Sequence, residues 1–405
     1  MSGKPTSPCV NRPFSRARHL TSFIFCQCLS TRAEHLHPSQ SIRLNVDLAI
    51  LLCARVFKVE YEKFTLKNGL QVNLFEYLFL ESENLGKGGL DKMSARIGGS
   101  GANGSTSRDR TNYYQTVPKD ALEKMIWAEA DKLGWFINTV TDPVLAKEKQ
   151  VVKNEKRQSY DNTPYGHTSY VIDKVLYPSD HPYNWQVIGS LDDLQRATVE
   201  DVKEFFRRWY VTNNVTLVVA GDFDTAQAKA WVERYFGEIK PGQPVSRLPK
   251  RPGVLKQTVS LYHEDNFATV PQLTRTWPSV EFYHPDFYPL AVLTNYLSQG
   301  KKAPFYQVLV ENKKLTDAVT MLNDTSELAG QVELLVRAFA DKDLDEVSKA
   351  FDEAFAKFEK EGISEKDLAR IKAGQETQLL ILISIGQVRW PRPGLHHFFT
   401  YAQIS

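Results

Sequence analysis

The strongest constraint on the fold is an order of segments that occurs twice. On each side of the stretch KPGQPVSRLPKRPG (240–253), a β-prone segment is followed by amphipathic helical patterns. Strands followed by runs of helices, twice over, predict an α+β chain of two similar domains, each a sheet covered by helices. The stretch 240–253 itself is rich in Pro, Gly and basic residues and reads as a linker. The expected organisation is a leader (1–58), a first domain (59–245), a second domain (246–385) and a tail (386–405). A chain of 405 residues is longer than one core usually serves, which agrees with two domains.

Local patterns fill in this outline. YEKFTLKNGLQV (61–72) reads as a strand with an Asn-Gly turn signal, and LDKMSARI (90–97) has helical spacing and stops at Gly98-Gly99. GSGANGSTSRD is expected to be a flexible loop, and TNYYQTV (111–117) to be β-prone. Leu122, Met125, Ile126 and Leu133 mark one side of a helix. Asp142 and Pro143 predict the cap and first turn of the next helix, which places Glu148, Val152 and Glu155 close to one face. Thr198 and Asp201 have capping-box spacing, and NNVTLVVAGDFD (213–224) reads as a buried strand ending in a turn. After the linker come a strand, helices from His284 to Gln299 and from Phe305 to Asn312, the strand QVELLVRAFA (331–340), a helix from Leu344, and a helix capped by Ser364.

Composition is that of a globular protein, with 42% hydrophobic and 24% charged residues, and a net charge of +2 offers no argument for nucleic acid or an anionic membrane. The most apolar run, Leu48 to Ala54, is too short to span a bilayer. Cys9, Cys26, Cys28 and Cys53 all precede Phe57, so the main body is not a disulfide scaffold. Up to Arg43 the leader carries one acidic residue, Glu34, among many Ser and Arg. That bias fits a mitochondrial transit peptide, but no clean amphipathic helix is visible, and an unstructured leader or mis-joined reading frame is the plainer reading.

Six stretches in order carry a family resemblance: LFEYLFL, ARIGGSGANGSTSRDRTNYYQTVP, EKQVVKNEKRQSYDNTPYG, YPSDHPYNWQVIGSLDDL, FFRRWYVTNNVTLVVAGDFD and LSQGKKAPFYQVLVENKKL. From about Tyr61 to about Leu380 the chain resembles the insulinase/pitrilysin family of zinc metallopeptidases, with mitochondrial processing peptidase a cousin. The resemblance implies paired α+β domains with antiparallel-rich sheets. It also implies Zn²⁺ held by two histidines of an inverted H-x-x-E-H helix and by a distal glutamate, with the motif glutamate as general base. Carried over residue by residue, Glu76 matches the general base, Asn73 and Tyr77 stand where the histidines belong, and Glu155 matches the distal ligand. Glu148 matches a supporting acidic position. Complete members often carry a second pair of domains that encloses a peptide chamber, and nothing here represents it.

The departures bear directly on chemistry. Asn offers a neutral amide and Tyr is protonated near neutral pH, so neither replaces imidazole at zinc. No histidine lies between His37 and His167, the remaining ones have no mutual metal spacing, and His396-His397 sits in the tail. NGLQV runs straight into NLFEY, where the family places a further strand and a glycine-rich turn. NLFEYLFL could therefore extend the preceding strand, since Leu70, Val72 and Leu74 alternate. The expectation is a zinc metalloendopeptidase relative that does not hold zinc and does not cleave peptides. The resemblance implies extended peptides or a homologous peptidase subunit as partners, because the family contains non-catalytic subunits. A truncated product without its own function is the deflationary alternative.

Plainer readings stand beside each of these. Glu76 can be a solvent-facing helix residue, and Glu155 a surface carboxylate on a Lys-rich helix. GKGG (86–89) lacks the Ser or Thr and the spacing of a phosphate loop. NGSTSRDRTNYYQT resembles the family's substrate-side edge strand, which can take up an extended peptide, but it can equally be an ordinary hairpin.

Overall fold

The computed structural model describes the backbone of residues 82–388 and the side chains of residues 82–377. Four sequence expectations therefore lie outside the described residues: the leader, the strand 61–72, the motif segment carrying Asn73, Glu76 and Tyr77, and the tail 386–405 beyond its first three residues, which continue the last helix. All described residues belong to one compact unit, 60–405.

The element order is α1 (Gly89–Arg96), β1 (Ser100–Thr106), β2 (Thr111–Thr116), α2 (Leu122–Trp135), α3 (Asp142–Lys156), α4 (Thr168–Leu176), α5 (Leu191–Arg196), α6 (Val199–Trp209) and α7 (Thr225–Phe236). It continues with β3 (Gln272–Ser279), α8 (Phe287–Ser298), β4 (Thr320–Thr325), β5 (Gly330–Arg337), α9 (Leu344–Glu361) and α10 (Glu365–Val388). Every sheet pairing is antiparallel: β1 with β2, and a three-stranded sheet in the order β3-β5-β4. The fold is α+β, as expected.

Buried apolar side chains gather in two main clusters, one drawn from residues 90–236 and one from residues 297–354. The two clusters draw on opposite sides of the expected division at 245/246. In the first, α2 buries Leu122, Met125, Ile126 and Leu133, the side its spacing marks, and packs on α7. Phe136, Phe206 and Tyr210 stack nearby, with ring centroids 5.4 Å and 5.0 Å apart. The capping box of α6 forms as its spacing predicts: Asp201 N donates to Thr198 Oγ1 at 3.2 Å and Thr198 N donates to Asp201 Oδ2 at 2.7 Å. Such a cap is worth about 1 kcal/mol.

The second cluster is built on β5. Val332, Leu334 and Val336 alternate inward, as a strand with one buried face requires. Val347, Ala350, Phe351 and Ala354 of α9 belong to the same cluster. Arg275 of β3 ties sheet to helix: it donates to Asp352 Oδ1 at 2.5 Å and Ser348 Oγ at 2.7 Å, with its guanidinium 5.3 Å from the Phe351 ring centre. Pro278 is tolerated because β3 is an edge of this sheet. α9 ends at Gly362, whose φ of 66° is the left-handed conformation that favours glycine after a helix.

Two expectations need correction. The Gly/Ser stretch expected to be a loop forms β1, because pairing along Asn103–Thr106 with Tyr114–Thr111 outweighs its composition. The stretch 213–224, expected to be a buried strand, does bury Val215 and Leu217, yet no strand ladder runs along it among the described residues. Alternation alone does not make a strand, since the state is defined by a hydrogen-bonded neighbour. Here Leu217 and Val219 lie against Leu122, Met125 and Ile126 of α2.

Candidate functional site

Glu155, matched to the distal zinc ligand, lies near the end of α3. The helix forms for legible reasons: Pro143 suits the first turn, Asp142 lies at its positive end, and Lys153 and Lys156 at its negative end. Thr141, one residue earlier than expected, is the N-cap. No residue of α3 is fully buried. Glu155 is exposed, and among the described residues no side chain pairs with it. Glu148, one face with it, is half-buried and lies 3.7 Å from Lys147.

A zinc site can be tested only through its donors. Among the described residues no three His, Cys, Asp or Glu side chains stand together in a metal-holding group. His167 and His263 do approach, with ring centroids 5.6 Å apart, which their sequence separation gave no reason to expect. His167 Nε2 instead lies 3.1 Å from Asp161 Oδ1, where Lys156 Nζ also lies at 3.3 Å. Burial pushes the Asp161 carboxyl up, but the contacts with His167 and Lys156 hold it below its usual range. The remaining donors that the resemblance assigns, Asn73 and Tyr77, are an amide and a phenol. With one exposed carboxylate they do not fit Zn²⁺.

The titratable groups most displaced from their ordinary behaviour lie elsewhere, at the tip of the β1–β2 hairpin. Arg108 donates to Asp173 Oδ2 of α4 at 2.8 Å. Its guanidinium sits 5.8 Å and 5.2 Å from the ring centres of Tyr177 and Tyr183. Asp109 accepts a hydrogen bond from the Tyr183 hydroxyl on one oxygen and from the Glu327 N–H on the other, the latter at 2.8 Å. The Tyr183 oxygen accepts from Leu328 N at 2.9 Å. His181, fully buried, accepts from Tyr183 N at Nδ1 (3.0 Å) and faces the Arg251 carbonyl with Nε2 (2.9 Å). That pairing defines a neutral ring with its proton on Nε2.

Burial drives the shifts here. It pushes the Asp173 carboxyl up to about 6 against the opposing pull of Arg108, and Asp173 Oδ1 has no partner. It pushes Tyr177 up to about 12 and Tyr183 upward too, the latter with help from Asp109. Burial raises Glu333 of β5, with Asp324 and Asp173 adding to it, and lowers His181. Chemically this is a joint. It fastens the hairpin, the 177–184 segment, the linker at Arg251 and the β4–β5 turn to one another. Apart from Asp173 Oδ1 its polar atoms are spent on internal contacts, and the groove beside it, along Lys174–Ser179 and Arg251–Val254, is open to solvent. Sequence reasoning missed the joint; the only local signal was an Arg-Asp pair in a hairpin turn.

A second buried polar group supports the hairpin from below. Lys132 Nζ lies 2.6 Å from Glu129 and 4.6 Å from the Tyr113 ring centre, and Gln115 donates to Glu129 at 2.8 Å. Asp131 accepts from Ser82 and from Asn84. These contacts hold β2 and the 82–84 segment on α2.

The antiparallel α+β fold is the one shared by solved M16 peptidase-like structures. The similarities below support a member of the insulinase/pitrilysin family. The family model of the peptidase M16 inactive domain matches residues 196–375. The chain is similar to the zinc protease PqqE of Helicobacter pylori, 28% identical over 312 residues that cover 67% of this chain and 68% of that one. It is similar to the uncharacterized zinc protease YmxG of Bacillus subtilis, 24% identical over 299 residues, covering 74% and 70%. In fold it resembles the crystal structure of a protease from Helicobacter pylori, with a TM-score of 0.66 at 23% identity, covering 79% of this chain and 84% of that one. No helix among the described residues is long and apolar enough to cross a membrane.

Proposed function

We propose that this chain is a zinc-peptidase homologue without a working metal centre, which binds extended peptides or a partner peptidase subunit. The observation that carries the first part is the donor set: an amide at Asn73, a phenol at Tyr77 and an exposed carboxylate at Glu155. Glu76 matches the general base of the family, but a base has no task where no metal lowers the pKa of water.

The hairpin supports the second part. The stretch NGSTSRDRTNYYQT, which draws on both strands of the hairpin, carries the resemblance to a peptide-binding edge. In the fold β2 is mostly buried, and β1 is the exposed member of the pair. Among the described residues no strand pairs with the outer edge of β1, so its backbone groups can take up an extended chain. Binding through backbone groups tolerates many sequences and does not need zinc. Titration of the purified chain with unfolded peptides tests this: weak, saturable binding is expected, and Ala102→Pro with Ser105→Pro should abolish it on whichever position faces the ligand. No saturable binding, or binding untouched by both variants, would leave the truncated-product reading in its place. A second test concerns repair. Asn73→His with Tyr77→His is expected to remain without zinc, because ligands need a supporting shell. Clear zinc uptake and cleavage by that variant would contradict this.

A further inference from the structure

Asn103 and Gly104 sit in exposed β1, where the pairing with β2 slips between Ser100 and Asn103. The Gly104 backbone nitrogen donates to the Asn103 side-chain oxygen at 2.8 Å. That hydrogen bond holds the Gly104 nitrogen beside the side-chain amide whose carbon, Cγ, it must reach to close a five-membered ring. Gly104 has no side chain to shield the nitrogen, and the exposure of Asn103 admits water and hydroxide. The chain contains one other Asn-Gly pair, Asn68-Gly69, which lies outside the described residues.

We propose that Asn103 is a self-modification site, converted in the folded protein to aspartate and isoaspartate. The Gly104 nitrogen gives its proton to solvent base and forms a bond to Asn103 Cγ. The bond from Cγ to the side-chain nitrogen breaks, that nitrogen takes up a proton, and it leaves as ammonia. A five-membered succinimide remains. One water then opens the ring. Attack at Cγ gives aspartate, and attack at the Asn103 backbone carbonyl carbon gives isoaspartate. One water is consumed and one ammonia released, with no oxidant or reductant.

Both products change β1. Each places a carboxylate on its exposed side. The isoaspartate route also threads Cβ into the main chain, which lengthens the strand and disturbs the pairing of Asn103 with Tyr114 and of Gly104 with Tyr113. The modification does not depend on the peptide-binding reading, although it would act on the same strand.

Native, full-length protein held at mildly alkaline pH and sampled over time provides the test, with peptide mapping by mass and enzymatic isoaspartate labelling. The expected result is conversion at Asn103, faster at higher pH, at a rate within roughly tenfold of the same peptide free in solution. Asn103→Gln should remove the signal from that peptide, and Gly104→Ala should slow it by roughly tenfold or more. The comparison of folded protein with free peptide uses the unaltered chain, so it stands even if a variant folds badly. An Asn103 that stays intact in the folded protein while the free peptide converts would overturn the proposal.

Discussion

The two halves of the described chain differ in how their described strands are paired. After the linker, β5 is paired on both sides, along all of β3 from Gln272↔Arg337 to Ser279↔Gly330 and along β4, with α9 in its apolar cluster. Before the linker, the described sheet is a two-stranded hairpin, the alternating stretch 213–224 runs without a ladder, and α3 has no fully buried residue. Within the half matched to the family's chemistry, the helix that carries Glu155 is thus one without a fully buried residue. A metal site needs ligands held rigidly by their surroundings, and an exposed helix provides little of that.

This contrast can be broken at its strong end first. Phe351 is fully buried against Phe305, with centroids 5.9 Å apart. Phe351→Ala should cost about 3–5 kcal/mol of unfolding free energy. Because the joint fastens the halves together, urea unfolding should keep a single transition and move it down; a separate, unshifted first-half transition would show that the joint does not couple them. Tyr183→Phe strips a partner from Asp109 and from Leu328 N, so it should cost about 1–3 kcal/mol. It should also begin to separate the two halves in the same assay.

The pH response of the joint contains two opposed effects. His181 has a folded pKa below its ordinary value, so the unfolded chain takes the proton first, and stability falls as pH drops through about 6.5. Asp173 has a folded pKa near 6, above its ordinary 3.8. The folded state takes that proton first, so stability is gained between about pH 6 and 4, by at most about 3 kcal/mol. His181→Asn, which keeps an acceptor for Tyr183 N, should leave the Asp173 trend alone. Its stability should then rise, not fall, on mild acidification. A variant that loses stability as steeply as the parent would place the acid sensitivity elsewhere. At the weak end, Glu155→Ala should change stability by less than about 0.5 kcal/mol, as surface substitutions usually do. A larger loss in urea titration would mean the carboxylate is held in a way the described contacts do not show.

How much of this was legible in the sequence depended on the range of the interaction. The inward side of α2, the Thr198–Asp201 box, the Ser364 cap and the β5 alternation are written within a few residues, and each appears in the fold. β1 was misread because its Gly and Ser favour loops, while its strand state comes from β2. The joint was invisible because Asp109 reaches Glu327, 218 residues away, and no local pattern encodes that contact. The position of Glu155 on a helix face was legible; its exposure was not, because exposure depends on what other segments leave uncovered.

The central claim is that this insulinase/pitrilysin relative does not hold zinc. Elemental analysis of the purified full-length chain, after exposure to excess zinc and removal of unbound metal, tests it most directly. Stoichiometry close to zero is the expected result, with no chelator-sensitive peptidase activity in the same sample. About one tightly held zinc per chain, the occupancy of a formed catalytic site, would contradict the account.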